Sequence, residues 1–347
     1  MNLSAALIQQ AVACDELGSP FTARLLRALP ALVRPDTPLG DRLLGWPGEI
    51  GPSGASVPLR LASAFHSLVQ SGAAPELAAV YPPNRVSDGA LAAALDRAFT
   101  DHAAQIDTWI NSAPQTNEVR RSAIMIAAAQ GLAARFGLPF VLSELGASAG
   151  LNLMWDRYGL IVAGQRFGPE APALTFEPRW SGPAPLSARP VVTARRGVDL
   201  NPVDAATPEG QLRLLSYLWA DQTDRIARTQ AAIGVAKAQV DAGDAADWLQ
   251  DRLTQMHDGA VHLIFHTVAW QYFPAPVQAR ARALIAAAGA KATPQRPLVW
   301  LSMEADDQRD GAALRLRLWP GDERHALGRA DFHGRWVNWS PGAAFGA

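Results

Sequence analysis

Residues 140–158 read Phe-Val-Leu-Ser-Glu-Leu-Gly-Ala-Ser-Ala-Gly-Leu-Asn-Leu-Met-Trp-Asp-Arg-Tyr. Phe140–Leu145 is a short apolar run with an acid, Glu144, near its end. Gly146–Gly150 is a turn of small residues, and Leu151, Met154 and Tyr158 recur at helical spacing beyond it. The pattern is strand, glycine-rich turn, helix. Such a turn lets a ligand approach the backbone, and it directs the amides of a helix N-terminus at that ligand.

The surrounding 347 residues suffice for a large core and two domains. Apolar content of 49% and charged content of 18% are ordinary for a globular protein. A net charge of −1 gives no support for nucleic-acid binding. The one cysteine, Cys14, excludes an intrachain disulfide and any cysteine-cluster zinc site, and no other metal site is expected. The N-terminus does not resemble a signal peptide, and the longest apolar stretch, around 123–134, is too short to cross a bilayer. The expectation is a cytoplasmic protein with no membrane partner.

Residues 1–138 read as helical: Leu3–Leu17, Phe21–Val33, Leu59–Gln70, Asp88–Asn111 and Asn117–Phe136, the last capped at Asn117, with a long loop over 34–58. This block is expected to be a cap or a homodimerisation domain. From 139 to 347 strands and helices alternate, which predicts an α/β domain with parallel strands. The strands are Phe140–Leu145, Pro190–Leu200, Ala236–Val240, Val261–Thr267 and Leu298–Met303. The helices are Pro208–Ile233, Asp247–Met256 and Ala275–Ala288. A terminal hairpin pairs Ala313–Trp319 with Arg335–Trp339. Residues 159–190, crowded with Gly and Pro, read as an insertion, a hairpin with loops.

Two chemistries use a turn of this kind. Gly146-x-Ser148-x-Gly150 fits the nucleophile elbow of α/β-hydrolases, with Ser148 as nucleophile, Asp244 as acid and His325 or His333 as base. The elbow normally follows several strands and an oxyanion loop, whereas the residues before it here read as helical. Glu144-x-Gly146-x-Ser148-x-Gly150 resembles instead the first motif of class I S-adenosylmethionine-dependent methyltransferases, with Ser148 in place of the middle glycine.

That resemblance implies a doubly wound, Rossmann-like methyltransferase sheet behind an all-helical N-terminal domain. It implies that Glu144, Gly146, Ala147, Ser148, Gly150 and Asn152 border the amino-acid part of S-adenosylmethionine. Asp199 and Leu200 close the second strand at the ribose, Asp244 and Ala245 close the third at the adenine, and Thr267 ends the fourth. His266 is the candidate general base on a small-molecule acceptor. Read without the resemblance, Asp199 is a turn cap before Pro202, Asp244 a helix N-cap, and His266 a structural histidine. The 146–150 turn lacks the Gly-x-Gly-x-x-Gly spacing of nicotinamide enzymes, which disfavours an oxidoreductase. A methyltransferase-like fold serving only to bind remains an alternative. The whole chain also resembles an uncharacterised bacterial family, a domain of unknown function, that carries a similar Glu-x-Gly-Ala-Ser-Ala-Gly-Leu-Asn-Leu segment followed by Asp-Arg-Tyr.

Overall fold

The computed structural model describes residues 1–308 and 310–345. Two compact units are present: Met1–Thr116 with Ala205–Gln230, and Asn117–Asp204 with the chain from Ala231 onward. The division therefore differs from the one at residue 138. Ser122–Phe136 belongs to the second unit, and residues 205–230 return to the first. Among the described residues no helix is long and apolar enough to cross a membrane.

The first unit is helical. Its core includes Leu7, Leu25, Leu26, Leu29, Leu61, Phe65 and Leu95, all buried, with Trp219 packed against them. The expected loop over 34–58 contains a short helix, Pro38–Leu44, begun by Thr37, whose side chain accepts from the Gly40 amide. The predicted 88–111 helix breaks at His102 into Asp88–Asp101 and Ala103–Trp109. Pro208–Ile233 likewise breaks between Ser216 and Thr223. The break is tied down: Asp221 accepts from the Phe21 amide at 2.8 Å, and the Leu218 carbonyl lies 2.9 Å from His66 Nδ1. Asp221 thus caps a helix about 200 residues earlier, which no local pattern could reveal.

The second unit is α/β. Its strands are β1 (Phe140–Leu145), β2 (Gly159–Val162), β3 (Gln165–Phe167), β4 (Thr175–Phe176), β5 (Arg179–Ser181), β6 (Val192–Asp199), β7 (Gln239–Ala242), β8 (Val261–Thr267), β9 (Leu298–Glu304), β10 (Ala312–Trp319), β11 (Glu323–Ala330) and β12 (Trp336–Trp339). The main sheet has nine strands in the order β5-β12-β11-β10-β9-β8-β1-β6-β7. Strands β7 through β9 of that order are mutually parallel, and β10, β11 and β12 continue antiparallel. From β1 the chain moves outward to β6 and β7, then crosses back to β8 and β9 on the other side. The order reverses between β1 and β8, where open α/β sheets place their ligands.

Side chains alternate across the sheet, so register assigns faces. Ser143, Leu145, Ile264, His266, Trp300, Ser302 and Glu304 share one face, covered by helices Ala245–Arg252 and Ala275–Gly289. Phe140, Glu144, Phe265 and Thr267 share the other, where Trp155 meets Phe140 edge to face. All six residues of β1 are buried, as a strand flanked and covered on every side requires.

Three details depart from the sequence reading. The segment after the turn, Leu151–Arg157, is a 3-10 helix rather than an α-helix. The 159–190 insertion forms four short strands. β2 and β3 make a hairpin through Ala163-Gly164, both at positive φ, and β4 joins them in a separate sheet. β5 pairs with β12 at the main sheet's edge. The Arg335–Trp339 strand pairs with β11, not with Ala313–Trp319. β11 has a mixed sequence, Glu-Arg-His-Ala-Leu-Gly-Arg-Ala, with no clean alternation to announce it.

A Cβ at Gly197 on β6 would lie 2.6 Å from Cβ of Ala147 and 3.1 Å from Leu153 Cδ1. Gly197→Ala is expected to destabilise the second unit by about 1–3 kcal/mol, the range for overpacking. Urea unfolding checks this; a midpoint equal to that of the parent chain would refute it.

Candidate functional site

The site is built on the turn between β1 and the 3-10 segment. Gly146, Ser148 and Gly150 all have positive φ, near 69°, 54° and 70°. Ser148 tolerates a left-handed conformation at some cost, whereas a Cβ at Gly146 would also lie 2.6 Å from that of Ala269. The amides of Gly146 and Ala147 both donate to the Val198 carbonyl on β6, at 2.9 and 3.0 Å. The Ser148 amide donates to Asp199 Oδ2 at 2.8 Å, and Asp199 Oδ1 accepts from the Asn201 amide at 2.9 Å. Asp199 therefore acts as turn cap and also lies beside the glycine turn.

The turn's amides are largely used internally. Gly150 N donates to Ala147 O, and Leu151 N donates to the side-chain oxygen of Asn117 at 2.8 Å. Asn117 does not cap its own helix, as expected from the sequence, but the segment after the turn. Asn152, also expected to border the cofactor, is held between Ser122 Oγ at 2.7 Å and the Glu118 carbonyl at 3.4 Å. It braces the turn from behind. Tyr158 Oη closes the segment by donating to the Leu151 carbonyl, and Asp156 forms a two-pronged ion pair with Arg195 of β6.

Two buried polar atoms at the turn have no hydrogen-bond partner: Glu144 Oε2 and Ser148 Oγ. Glu144 is 2% exposed. Burial pushes its carboxyl well above the usual glutamate range; the nearby charge of Asp199 adds to the rise, and Arg121 opposes it. Arg121 is anchored close by, donating to the carbonyls of Thr267 and Phe332. Thr267 shares Glu144's face of the sheet at the end of β8. Glu144, Ser148, Asp199 and Thr267 thus surround the point where the strand order reverses. The insertion does not displace Asp199, because β6 pairs directly with β1 while the short strands lie in other sheets or at the far edge.

The Gly243 amide donates to the Asp199 carbonyl, so the end of β7 lies next to that of β6. Asp244 Oδ1 accepts from the amides of Ala246 and Asp247, capping the helix whose first residue is the buried Ala245. Leu200 is 66% exposed. His266 is on the opposite face, with Nδ1 2.6 Å from Glu304 Oε1, and its ring stacks on Trp270 at 4.7 Å. Glu304 also accepts from the amides of Ala269 and Trp270. Burial favours its neutral form, but these donors outweigh that and hold its carboxyl below the usual range. An ionised Glu304 can only accept, so His266 Nδ1 carries a proton. The same hydrogen bonds brace the bend at Val268, a β-branched residue with φ of 53°. Sequence reasoning missed Glu304's role, which depends on β9 lying beside β8.

The hydrolase arrangement is not assembled. No histidine is hydrogen-bonded to Ser148 Oγ, Asp244 is a cap, and His325 pairs with Glu323 on β11. Asp331 Oδ1 accepts from the His333 amide. Among the described residues no group of three or more His, Cys, Asp or Glu could hold a metal.

The fold and site define a mixed α/β protein with its polar cluster at the switch point of a mostly parallel sheet. Residues 4–339 match the family model described as an uncharacterized protein conserved in bacteria (DUF2332), and the chain belongs to that family. No curated protein and no solved structure matches the chain.

Glu144 supplies a pH test. A carboxyl whose pKa is higher folded than unfolded costs stability as pH rises from the unfolded value through the folded one. Glu144→Gln is therefore expected to unfold later than the parent at neutral and alkaline pH, with the difference vanishing in acid. Thermal midpoints measured across pH 4–8 check this (a range about the ordinary glutamate value). A variant less stable than the parent at neutral pH would contradict the assignment.

Proposed function

We propose that the second unit binds S-adenosylmethionine at the switch point and transfers its methyl group to a small-molecule acceptor. The observation that carries this reading is the pair Glu144 and Asp199 closing adjacent parallel strands on either side of the glycine turn. Asp199 ends β6 directly beside the turn, with its carboxylate against the Ser148 amide, and a carboxylate at a strand's C-terminal end suits a ribose diol. Glu144 is a buried carboxyl with an unpartnered oxygen beside another acid. It is suited to a ligand that brings positive charge. A nucleoside bearing a diol, a sulfonium and the ammonium of a zwitterionic amino-acid tail matches the two together. The central position of β1, and the antiparallel β10 beyond β9, agree with the sheet implied by the methyltransferase resemblance.

Bound S-adenosylmethionine would supply the electrophilic methyl group. The chain's own contribution is alignment, which accounts for a large part of the barrier reduction in two-substrate transfers. His266 is not given the base's role in this reading, because its ring lies on the face opposite Glu144. Asp244, although engaged as a cap, starts beside Asp199 at the end of β7 and keeps the adenine end of the reading, whereas the exposed Leu200 is not needed.

Calorimetric titration with S-adenosylmethionine and S-adenosylhomocysteine tests the proposal. Saturable binding is expected, weakened at least about tenfold in Asp199→Ala, as loss of hydrogen bonds to a charged group implies. Absence of binding to the parent chain, or unchanged affinity in the variant, would reject it. Because Glu144 binds a proton more readily in the folded chain, binding of the cationic ligand is expected to release protons at pH values above the ordinary glutamate range, where the group is still partly protonated. Titrations in two buffers of different ionisation enthalpy read this directly, and Glu144→Gln removes it. Labelling of Ser148 by a fluorophosphonate would favour the hydrolase instead.

A further inference from the structure

On the sheet face that carries His266, a cleft of about 730 Å³ opens beside helix Ala275–Gly289. Its lining includes Trp270 and Trp300, with ring centroids 5.5 Å apart, and four arginines: Arg282, Arg315, Arg317 and Arg324. The acids nearby do not balance them. Asp322 is shared by Arg317 and Arg324, and Asp306 is shared by Arg315 and Arg329. Glu304 is committed to His266 and two backbone amides. Arg282 has no ion pair among the described residues; it lies over Trp270 at 5.1 Å and donates to Gln278 Oε1.

The cleft also has unfinished hydrogen bonding. His266 Nε2, Trp300 Nε1 and Glu304 Oε2 belong to lining residues, are themselves buried, and have no partner. His266 is 98% buried, given its 2% exposure. Leaving such a group unsatisfied costs about 1–3 kcal/mol, so each is expected to find a partner in the functional state. The guanidinium groups and Trp300 Nε1 donate and suit the oxygens of an acid group, whereas Glu304 Oε2 and the Nε2 of a neutral His266 accept and suit a hydroxyl or water hydrogen. Arginine forks match the planar carboxylate and the phosphate geometry, and Trp300 offers an apolar wall.

We propose that this cleft is a second binding site, distinct from the glycine turn, for a small organic anion. The acid group, carboxylate or phosphate, rests on Arg282 and Arg324, and the apolar body lies against Trp300.

Calorimetric titration with benzoate, phenyl phosphate, inorganic phosphate and benzylamine tests this. Saturable binding of benzoate or phenyl phosphate is expected, with inorganic phosphate weaker and benzylamine not bound. The tighter of the two aromatic anions identifies the acid group. Arg282 and Arg324 are exposed, so the double variant Arg282→Gln, Arg324→Gln is expected to keep the parent's thermal midpoint while losing at least tenfold in anion affinity. The proposal is overturned if neither aromatic anion binds, if benzylamine binds as well as they do, or if the double variant keeps its affinity.

Discussion

The second unit depends on one close approach, that of the β1 turn to the end of β6. Two successive amides of the turn share the Val198 carbonyl, and the third is taken by Asp199. Gly197 supplies the space by having no side chain where Ala147 sits. Three residues of the turn in left-handed conformation make the bend possible. Backbone strain at Ser148 is tolerable because neighbours on β6, β8 and residues 117–122 hold the loop from several sides. The polar cluster exists because this contact does: it carries Asp199 to Glu144's side and leaves Glu144 buried with an oxygen unmatched.

That mismatch distinguishes binding from packing. A carboxyl placed for stability alone would be paired, as Asp156 is with Arg195. Glu144 has neither a hydrogen-bonded cation nor a full set of donors. The same reasoning applies on the reverse face, where Arg282, without an ion pair among the described residues, and orphaned ring nitrogens border open space. The two regions are separated by the sheet itself. Residues 266 and 267 are consecutive in β8 but serve opposite faces, so His266 and Thr267 cannot both point into one site.

Local chemistry accounts for what was readable in advance. Apolar periodicity located the longer helices of residues 1–136, though not Pro38–Leu44 or the break at His102, and the buried strands β1, β8 and β9. The glycines marked the turn, and an Asn-Pro pair marked the end of β6. Patterns failed where a neighbour from far along the chain made the decision. Asn117 caps a segment 34 residues on rather than its own helix. The long 208–233 helix yields at Tyr217–Gln222 because its backbone and Asp221 are engaged with the first unit's helices. β11 escaped notice because its residues are half-polar, and its strand conformation comes from its neighbours on both sides.

By itself, the sequence determined that a strand, a left-handed small-residue turn and an acid would occur together. Those features follow from covalent geometry and from the apolar run before them. Tertiary structure alone decided which carboxylates became neighbours, which were spent as caps, and which face His266 occupies. Strand order and register set those outcomes, and both depend on contacts between residues tens to hundreds of positions apart, which no local window contains.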